Sequence, residues 1–276
     1  MSTWLITGCS TGLGRALAQA ALARGDTVAA TARDAASILQ LVDAYPETAL
    51  ALALDVTDRG QITRAVRAAQ ERFGGIDVLV NNAGYGYRAA VEEADDSDVQ
   101  SLFATNFFGP AAMIKVVLPD MRARRHGTIV NISSIGARRS PPGSGHYAAS
   151  KAALEALTGS LRKEVGPLGI AAMIVEPGAF RTDFSGRSMP QSPRAIDDYA
   201  ATAGPRRKEN DTSDGTQQGD PAKAAQAIIT AVDSSDPPLM LVLGPDALST
   251  FRESLDALSS DLNAWEHLST STSFDT

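Results

Sequence analysis

Short apolar runs alternate along the chain with longer segments in which apolar residues recur at helical spacing. The runs are three to six residues long and end at glycine or polar residues, which predicts strands buried on both faces. They are Trp4–Ile6, Val28–Thr31, Ala49–Leu54, Ile76–Val80, Thr128–Ile132, Ala171–Val175 and Leu239–Leu243. The predicted helices are Arg15–Arg24, Ala35–Ala44, Ile62–Phe73, Val99–Met121, Ala148–Leu161, Pro221–Val232 and Ala247–His267.

The alternation of strands and helices predicts an α/β fold. Strands separated by helices pair in parallel through right-handed crossovers, with helices on both faces of the sheet. We therefore expect a three-layer, Rossmann-type, doubly wound domain with a seven-stranded, mostly parallel sheet. A single domain is expected over residues 1–268, followed by a polar tail at 269–276.

Residues 185–219 interrupt this pattern, because Pro, Ser, Asp, Gln, Arg and Gly replace apolar residues there. Long irregular insertions in compact domains are commonly lids over a binding site. We predict a substrate-covering loop with short helical pieces around Ala195–Ala203.

Composition and charge exclude several classes of partner. The chain has 25 basic and 32 acidic residues, a net charge of −7, which disfavours nucleic acid and anionic membrane surfaces. The single cysteine, Cys9, rules out an internal disulfide, and the N-terminal apolar run is too short for a signal peptide or membrane span. A cytoplasmic location is expected. The three histidines lack the spacing of metal ligands, so no metal site is predicted.

A glycine-rich turn separates the first strand from the first helix. Glycines let the backbone approach a pyrophosphate, and a helix N-terminus offers N–H groups and the positive end of its dipole. The turn thus predicts a phosphate cradle for a dinucleotide, although its G-x-x-x-G-x-G spacing differs from the G-x-G-x-x-G fingerprint. The predicted cofactor-binding residues here are Gly8, Ser10, Thr11, Gly12, Leu13 and Gly14.

The end of the second strand bears on the choice of dinucleotide. An acidic residue at this place binds the ribose 2′-hydroxyl of NAD, whereas an arginine accommodates the 2′-phosphate of NADP. Arg33 stands there, and the side chain of Ala32 has no acceptor. The sequence favours NADP(H), with NAD(H) as the alternative because Asp34 is within reach of the ribose.

Polar residues also follow the third and fourth strands. Ligands in doubly wound sheets bind at the carboxyl ends of the strands. The glycine turn, Arg33, Asp55 and Asn82 all fall at such ends. Their shared location is a stronger signal than any one of these residues.

Tyr147 and Lys151 are four residues apart in a predicted helix, so they project from one face. A neighbouring ammonium favours the phenolate and is expected to lower the pKa of Tyr147 towards the range of general acid–base work. Such a pair in isolation also fits a surface tyrosine and a solvated lysine. Asn106, inside an apolar helix face, is by itself most simply a hydrogen-bonded core residue.

Four motifs follow one another along the chain: Thr7-Gly8-x-x-x-Gly12-x-Gly14, Asn81-Asn82-Ala83-Gly84, Ser134 with Tyr147-x-x-x-Lys151, and Pro177-Gly178-x-x-x-Thr182. In this order they resemble the short-chain dehydrogenase/reductase family, in its single-domain NAD(P)-dependent oxidoreductase branch. The resemblance covers Thr3 to about Thr182 and extends more loosely to Leu243. The unusual glycine spacing is the family's own form.

The resemblance implies an enzyme that interconverts a ketone or aldehyde and an alcohol by hydride transfer. It implies that Tyr147 is the general acid/base, that Ser134 hydrogen-bonds the substrate oxygen, and that Lys151 holds the nicotinamide ribose. Asn106 is implied to order a water in a proton relay. The implied cofactor contacts are Thr182 on the carboxamide, Asp55, Val56 and the backbone of Asn82, Ala83 and Gly84 around the adenosine, and Pro177 and Gly178 of the fourth motif.

Two departures limit what the resemblance implies. Relatives that prefer NADP often have a basic residue where Thr11 stands, so the preference rests almost entirely on Arg33. The region after Ser185 has no family signature. The Thr-Ala-Arg-Asp stretch ending at Asp34 and the C-terminal helix are similar to the branch near hydroxysteroid and retinol dehydrogenases, which points weakly to apolar carbonyl or alcohol substrates.

Two other functions remain open on the sequence. Gly8-Cys9-Ser10-Thr11-Gly12 fits the nucleophile elbow of a serine hydrolase, with His146 or His267 as the base, but no earlier strand is present to supply the oxyanion hole. A dinucleotide-binding sensor without catalysis is the other, since fold alone does not establish function. The predicted helix Val99–Met121 and the Tyr147 helix are apolar on more than one face, which predicts a homodimer or homotetramer.

Overall fold

The computed structural model, which describes residues 1–185, 188–208 and 215–274, contains a seven-stranded sheet in which every pairing is parallel. The strands are β1 Thr3–Ile6, β2 Thr27–Ala32, β3 Ala49–Ala53, β4 Val78–Asn81, β5 Gly127–Ile132, β6 Ile170–Pro177 and β7 Met240–Leu243. Their order is β3-β2-β1-β4-β5-β6-β7. The chain therefore reverses direction across the sheet between β1 and β4, and the predicted doubly wound fold is confirmed.

The described helices occupy the predicted segments, with ends that differ by a few residues. They are α1 Gly12–Ala23, α2 Leu39–Asp43, α3 Arg59–Phe73, α4 Asp96–Phe103, α5 Gly109–Arg124, α6 Gly136–Arg139, α7 Gly145–Val165, α8 Gly204–Lys208, α9 Pro221–Val232 and α10 Pro245–Thr270. A 3-10 turn at Ala35–Ile38 forms the first half of the predicted second helix. The short helix α6 lies between Ser134 and Tyr147, where no helix was predicted.

The sheet buries apolar side chains on both faces because successive residues of a strand point to opposite sides. Trp4 and Ile6 of β1 pack into one core, beneath α1 and α9. Leu5, between them, packs into the other core, beneath α3, α5 and α7. All three side chains are fully buried, so alternate residues of one strand anchor both helical layers.

The predicted helix Val99–Met121 is divided in the structure. A π-helical segment, Ala104–Phe108, separates α4 from α5. Its wider turn carries Asn106, which is fully buried. Single-turn π segments of this kind are frequent at functional sites.

The run Asp96–Arg124 that includes this segment is, in the described part of the chain, the one helix long and apolar enough to cross a membrane by length and composition. Met113, Val117 and Met121 on it are fully buried against the sheet. The run is therefore a core helix of the sheet's second face.

The described parts of the predicted lid lie along the loop after β4. Backbone hydrogen bonds join Gly86 to Ser188 and Arg88 to Pro190. The buried carboxylate of Glu93 accepts hydrogen bonds from Arg207 and from the N–H of Ile196. The predicted helical pieces consist of a 3-10 turn at Asp197–Tyr199, with α8 following at Gly204–Lys208, while 186–187 and 209–214 lie outside the described residues.

Candidate active site

A cavity of about 750 Å³ opens at the carboxyl ends of the strands, beside the reversal between β1 and β4. The predicted site residues that line it are Gly8, Ser10, Thr11, Gly12, Leu13, Arg33, Asp55, Val56, Asn82, Ala83, Gly84, Ser134, Tyr147, Lys151, Pro177, Gly178 and Thr182. Gly14 and Asn106 lie directly behind this lining, against Asn82 and Gly84 respectively. The fold thus brings four separate motifs to one crevice.

The glycine turn leaves no room for side chains. Gly8 and Gly12 have φ of 75° and 61°, a left-handed conformation that favours glycine. A Cβ on Gly14 would lie 2.3 Å from Nδ2 of Asn82 and 2.5 Å from the carbonyl oxygen of Gly8. The turn is therefore packed tightly onto the end of β4.

The N-terminus of α1 faces the cavity through Thr11, Gly12 and Leu13. Thr11 makes no side-chain capping bond, and the first turn of α1 carries no acidic residue. The positive end of the helix dipole is thus not offset by a local carboxylate. This arrangement, with the open glycine backbone, fits a pyrophosphate.

Asn82 and Thr7 fasten the turn to β4. The Asn82 side chain donates to the carbonyl oxygens of Thr7 and Gly8 at 2.8 and 3.0 Å. The Thr7 hydroxyl accepts from the N–H of Asn82 and of Ala83, both at 2.9 Å. The Asn82 amide is therefore used within the protein, which leaves backbone at Ala83 and Gly84 to line the cavity.

One arginine lines the predicted ribose end of the cavity, and a second contacts the backbone of Ser10, which is a lining residue. Arg33 lines the cavity, whereas the carboxylate of Asp34 caps the following turn by accepting from the N–H of Ala36 at 2.9 Å. Sequence analysis missed Arg15, whose guanidinium donates to the carbonyl oxygens of Ser10 and Ser37, both at 3.4 Å. Arg15 directly follows Gly14, the last glycine of the turn, and this position in the sequence could have identified it.

Tyr147, Ser134 and Lys151 meet at the other end of the cavity. The Tyr147 ring and the Ser134 hydroxyl lie side by side next to Gly136, close enough for Ser134 to lower the pKa of Tyr147 through hydrogen bonding, and the Ser134 hydroxyl accepts from the N–H of Gly136 at 3.0 Å. Lys151 follows Tyr147 by one turn of α7 and donates to the carbonyl oxygen of Ile132 at 2.8 Å. The helix that begins at Gly145 and the end of β5 together set this geometry.

Burial has the largest effect on the pKa values of Tyr147 and Lys151. It raises the pKa of Tyr147 to about 12, against smaller lowering effects of the Ser134 hydrogen bond and the charge of Arg206. It lowers the pKa of Lys151 to about 8, against a smaller raising effect of Glu155. The expected net lowering of the phenol's pKa by Lys151 is therefore wrong in this structure, because desolvation outweighs the nearby charges.

Asn106 is hydrogen-bonded entirely within the protein. Its amide donates to the carbonyl oxygen of Tyr85 at 2.9 Å and to the Ser150 hydroxyl at 3.2 Å, and its Oδ1 accepts from the N–H of Tyr85 at 3.1 Å. A Cβ on Gly84 would lie 3.0 Å from Oδ1 of Asn106 and 3.3 Å from Nζ of Lys151. Asn106 is thus a satisfied core residue that also lies close to Lys151.

Aromatic and apolar side chains that were not among the predicted site residues also line the cavity, and we call them the apolar wall. Tyr85, Phe180, Phe184 and Pro190 contribute to it. The Phe184 ring lies 6.0 Å from the Tyr147 ring, between their centroids. These residues come from loops after β4 and β6, where local sequence patterns give no sign of a shared wall.

The hydrolase arrangement is not assembled around Ser10. His146 contacts the carbonyl oxygen of Val91 at 3.3 Å, and His267 lies on the exposed face of α10. Within the described ranges, no group of three or more His, Cys, Asp or Glu side chains is placed to hold a metal ion.

Comparison with known proteins assigns the fold and site to a family. The model of the family described as short chain dehydrogenase matches residues 2–192. Oxidoreductase BOA17 of Botryotinia fuckeliana is 39% identical over 267 residues, 96% of this chain and 97% of that protein. A 3-ketodihydrosphingosine reductase of Bacteroides thetaiotaomicron is 36% identical over 244 residues, 87% of each chain.

Solved structures agree. A short-chain dehydrogenase from Streptomyces avermitilis superposes with a TM-score of 0.92 at 44% identity, covering 99% of this chain and 100% of that one. An alcohol dehydrogenase from Thermococcus sibiricus, complexed with 5-hydroxy-NADP, has a TM-score of 0.72 at 25% identity, covering 88% of this chain and 96% of that one. A nicotinamide dinucleotide is thus the cofactor that family and cavity both indicate.

Replacing Gly14 with alanine is expected to weaken dinucleotide binding about tenfold or more and to lower the free energy of unfolding by about 1–3 kcal/mol, because the new methyl group overlaps Asn82 and Gly8. Calorimetric titration with NADPH and chemical denaturation measure the two effects. The matched control is Gly159→Ala in α7, where a Cβ meets nothing within 4 Å. That change should be neutral or stabilising by about 0.5–1 kcal/mol, and equal effects of the two substitutions would contradict the packing account.

Proposed function

This chain belongs to the short-chain dehydrogenase family, and we propose that it interconverts a ketone or aldehyde with an alcohol, with a preference for NADP(H) and with Tyr147 as general acid/base. The observation that carries the proposal is the meeting of Ser134, Tyr147 and Lys151 in the lining of a cavity that fits a dinucleotide. The alternative of a non-catalytic sensor is disfavoured because this proton-transfer group is intact. The serine hydrolase alternative lacks a base near Ser10.

The nicotinamide, when bound, supplies or accepts the hydride. In reduction, negative charge develops on the substrate oxygen, where hydroxyl donors placed in advance stabilise it. Ser134, oriented by the N–H of Gly136, donates one hydrogen bond to that oxygen. Tyr147 donates the proton, and its raised pKa keeps the phenol protonated and ready to do so at neutral pH.

Lys151 supports this proton transfer from one helical turn away. Its ammonium, buried near the end of β5, opposes the negative charge left on the phenol after proton donation. In the proposed mechanism the same ammonium holds the nicotinamide ribose. We retain Asn106 as the residue that orders a water near Lys151, supported by its position behind Gly84.

Three observations support NADP(H) over NAD(H). Arg33 lines the cavity at the predicted ribose end, and Ala32 beside it has no side-chain acceptor. The carboxylate of Asp34, which would bind the 2′-hydroxyl of NAD, is engaged in capping. Arg15 adds a second positive charge near Ser10. A preference for NADP(H) makes reduction the proposed direction in the cytoplasm.

The apolar wall supports an apolar carbonyl or alcohol substrate. Tyr85, Phe184 and Pro190 form a hydrophobic surface beside Tyr147, and residues of the proposed lid hydrogen-bond the loop after β4. A relative that is named as a reductase of 3-ketodihydrosphingosine, a ketone with a long alkyl chain, fits this chemistry. A panel of alkyl, ring and steroid-like ketones, read as loss of NADPH absorbance, identifies the best substrate class.

We also propose that the protein is a homodimer or homotetramer. On α10, Leu255, Leu258, Leu262 and Trp265 are 52–72% exposed and recur at intervals of three and four residues, so they share one face. Phe108, at the end of the π-helical segment on the surface predicted to be an interface, is 58% exposed. Acidic residues on the rest of α10 disfavour an anionic membrane as the partner of this face.

Substituting Phe for Tyr147 is expected to lower kcat/KM for ketone reduction by about 100-fold or more, because the general acid is lost while the ring remains. The dissociation constant of NADPH should stay nearly unchanged. Stopped-flow reduction assays and fluorescence titration measure the two quantities. Tyr45→Phe, the same chemical change in the α2–β3 region, serves as the control, and retained activity in the Tyr147 variant would refute the assigned role.

Exchanging Arg33 for Asp is expected to shift the ratio of kcat/KM with NADPH to that with NADH by roughly 10-fold to 100-fold towards NADH, the usual weight of a charged hydrogen bond. Parallel assays with both dinucleotides give the ratio. Arg122→Asp, an exposed change on α5, should leave it unaltered. An unchanged ratio in the Arg33 variant would mean that Arg15 or another residue, and not Arg33, contacts the 2′-phosphate.

Sedimentation equilibrium is expected to give the mass of a dimer or tetramer rather than the 28.8 kDa of one chain. A charge introduced by Leu258→Lys should weaken association about tenfold or more if α10 contributes to the interface. Ser260→Lys, on the opposite face of the helix, is the matched control. A monomeric wild-type protein would contradict the oligomer, and equal association of both variants would place the interface away from α10.

A further inference from the structure

Two buried glutamates lie behind the proposed active site and have no part in the mechanism described so far. Glu176, near the end of β6, is fully buried, and Glu155, on α7, is 7% exposed. Their carboxyl groups are within hydrogen-bonding distance of each other. Buried carboxylates in contact repel strongly unless a cation or a proton intervenes.

One guanidinium serves both carboxyl groups. Arg138 of α6 donates to Oε2 of Glu155 at 2.6 Å and to Oε1 of Glu176 at 3.1 Å. Two ionised carboxylates and one guanidinium would leave a net negative charge on two buried side chains. The second oxygen of Glu176, Oε2, is buried without a hydrogen-bond donor. Both facts are explained if a proton is bound between the carboxyl groups of Glu155 and Glu176.

Among the described residues, Arg138 is the cation that acts on Glu176. The charged groups that act on it are Glu155 from α7 and Arg138 from α6. The elements packed around Arg138 present an aromatic ring, Phe251 of α10 at 5.4 Å from the guanidinium carbon, and the sulfur of Met240 from β7. Burial first, and the charge of Glu155 second, raise the pKa of Glu176.

Glu155 and Glu176 are linked to the active-site residues by a hydrogen bond and by their adjacent positions in the chain. Oε1 of Glu155 accepts a hydrogen bond of 2.5 Å from the hydroxyl of Ser133, the residue directly before Ser134. Glu155 also follows Lys151 by one helical turn, and its charge opposes the loss of the lysine's proton. Arg138 lies two residues after Gly136, whose N–H orients Ser134. Glu176 directly precedes Pro177 and Gly178 of the cavity wall.

We propose that Glu155 and Glu176 share one proton at neutral pH, and that this pair, held by Arg138, is a positioning unit that fixes Ser134 and tunes the charge of Lys151. The proposal rests on the proposed function for its catalytic part and on the buried geometry alone for the shared proton. When the shared proton is lost, repulsion between the carboxylates strains the contact of Glu155 with Ser133. Ketone reduction is then expected to slow as the pH rises through neutrality, before Lys151 itself loses its proton.

The test compares wild-type protein with Glu176→Gln, in which an amide of the same shape mimics the protonated acid and cannot titrate. Wild-type kcat/KM for reduction of the best ketone should fall roughly fivefold as the pH rises through neutrality, in the usual range of coupling between two groups. In Glu176→Gln this fall should move to higher pH, towards the ionisation of Lys151. Glu164→Gln, an exposed change on the same helix, should retain the wild-type profile.

An infrared difference titration of the whole protein supplies a readout that does not need activity. A carboxylic-acid carbonyl band that disappears as the pH rises through neutrality should be present in wild-type and Glu164→Gln proteins and absent from Glu176→Gln. Absence of the band from the wild-type protein would overturn the shared proton. Identical pH profiles of wild-type and Glu176→Gln enzymes, with the band present, would overturn the positioning role.

Two further outcomes distinguish a failure of the proposed function from a failure of the shared-proton proposal. If the wild-type protein reduces no ketone, the proposed function fails, while the infrared band still decides whether the proton is shared. If Glu176→Gln does not fold, Glu155→Gln takes its place. Removing that charged partner should move the loss of the band to lower pH, because the charge of Glu155 is one of the causes that raise the pKa of Glu176, and an unchanged titration of the band would refute the sharing.

Discussion

Burial of ionisable side chains at the carboxyl edge of the sheet is the constraint on which the site depends. The Tyr147 and Lys151 side chains are largely removed from solvent, so the phenol holds its proton more tightly and the ammonium less tightly than in solution. Both shifts favour the neutral forms. The nearby carboxylate of Glu155 opposes this trend at Lys151, which keeps a positive charge within one helical turn of the phenol. Desolvation and one buried anion therefore set the proton affinity of the group together.

A buried polar network holds the helix that carries these residues in register with the sheet. The Asn81 amide of β4 donates to Oδ1 of Asn131 in β5 at 2.8 Å, and the Asn131 amide donates to the Thr158 hydroxyl of α7 at 2.8 Å. Thr158 closes the chain by donating to the carbonyl oxygen of Leu154 at 2.6 Å. Since unpaired polar groups in the core are costly, α7 is favoured in the position that satisfies these bonds.

The two halves of the cavity are built in different ways. The dinucleotide half is backbone fastened by side-chain hydrogen bonds between two neighbouring strands, with Asn82 and Thr7 tying the glycine turn to β4. The substrate half is assembled from loops far apart in the chain, such as those that carry Tyr85 and Phe184. The fold alone does not determine which substrate such a wall accepts.

Local sequence patterns were sufficient to predict most of the secondary structure and part of the active site. Hydrophobic periodicity indicated the seven strands and the main helices, the glycine spacing indicated the turn after β1, and the four-residue step from Tyr147 to Lys151 required only that α7 be a helix. The π-helical segment around Asn106 and the role of Arg15 depend on contacts between distant segments. The direction of the Tyr147 pKa shift and the meeting of Glu155 with Glu176 were likewise decided by tertiary structure. Desolvation of a side chain and its interactions with charges from distant segments exist only once separate elements pack together. A local sequence pattern therefore cannot predict them.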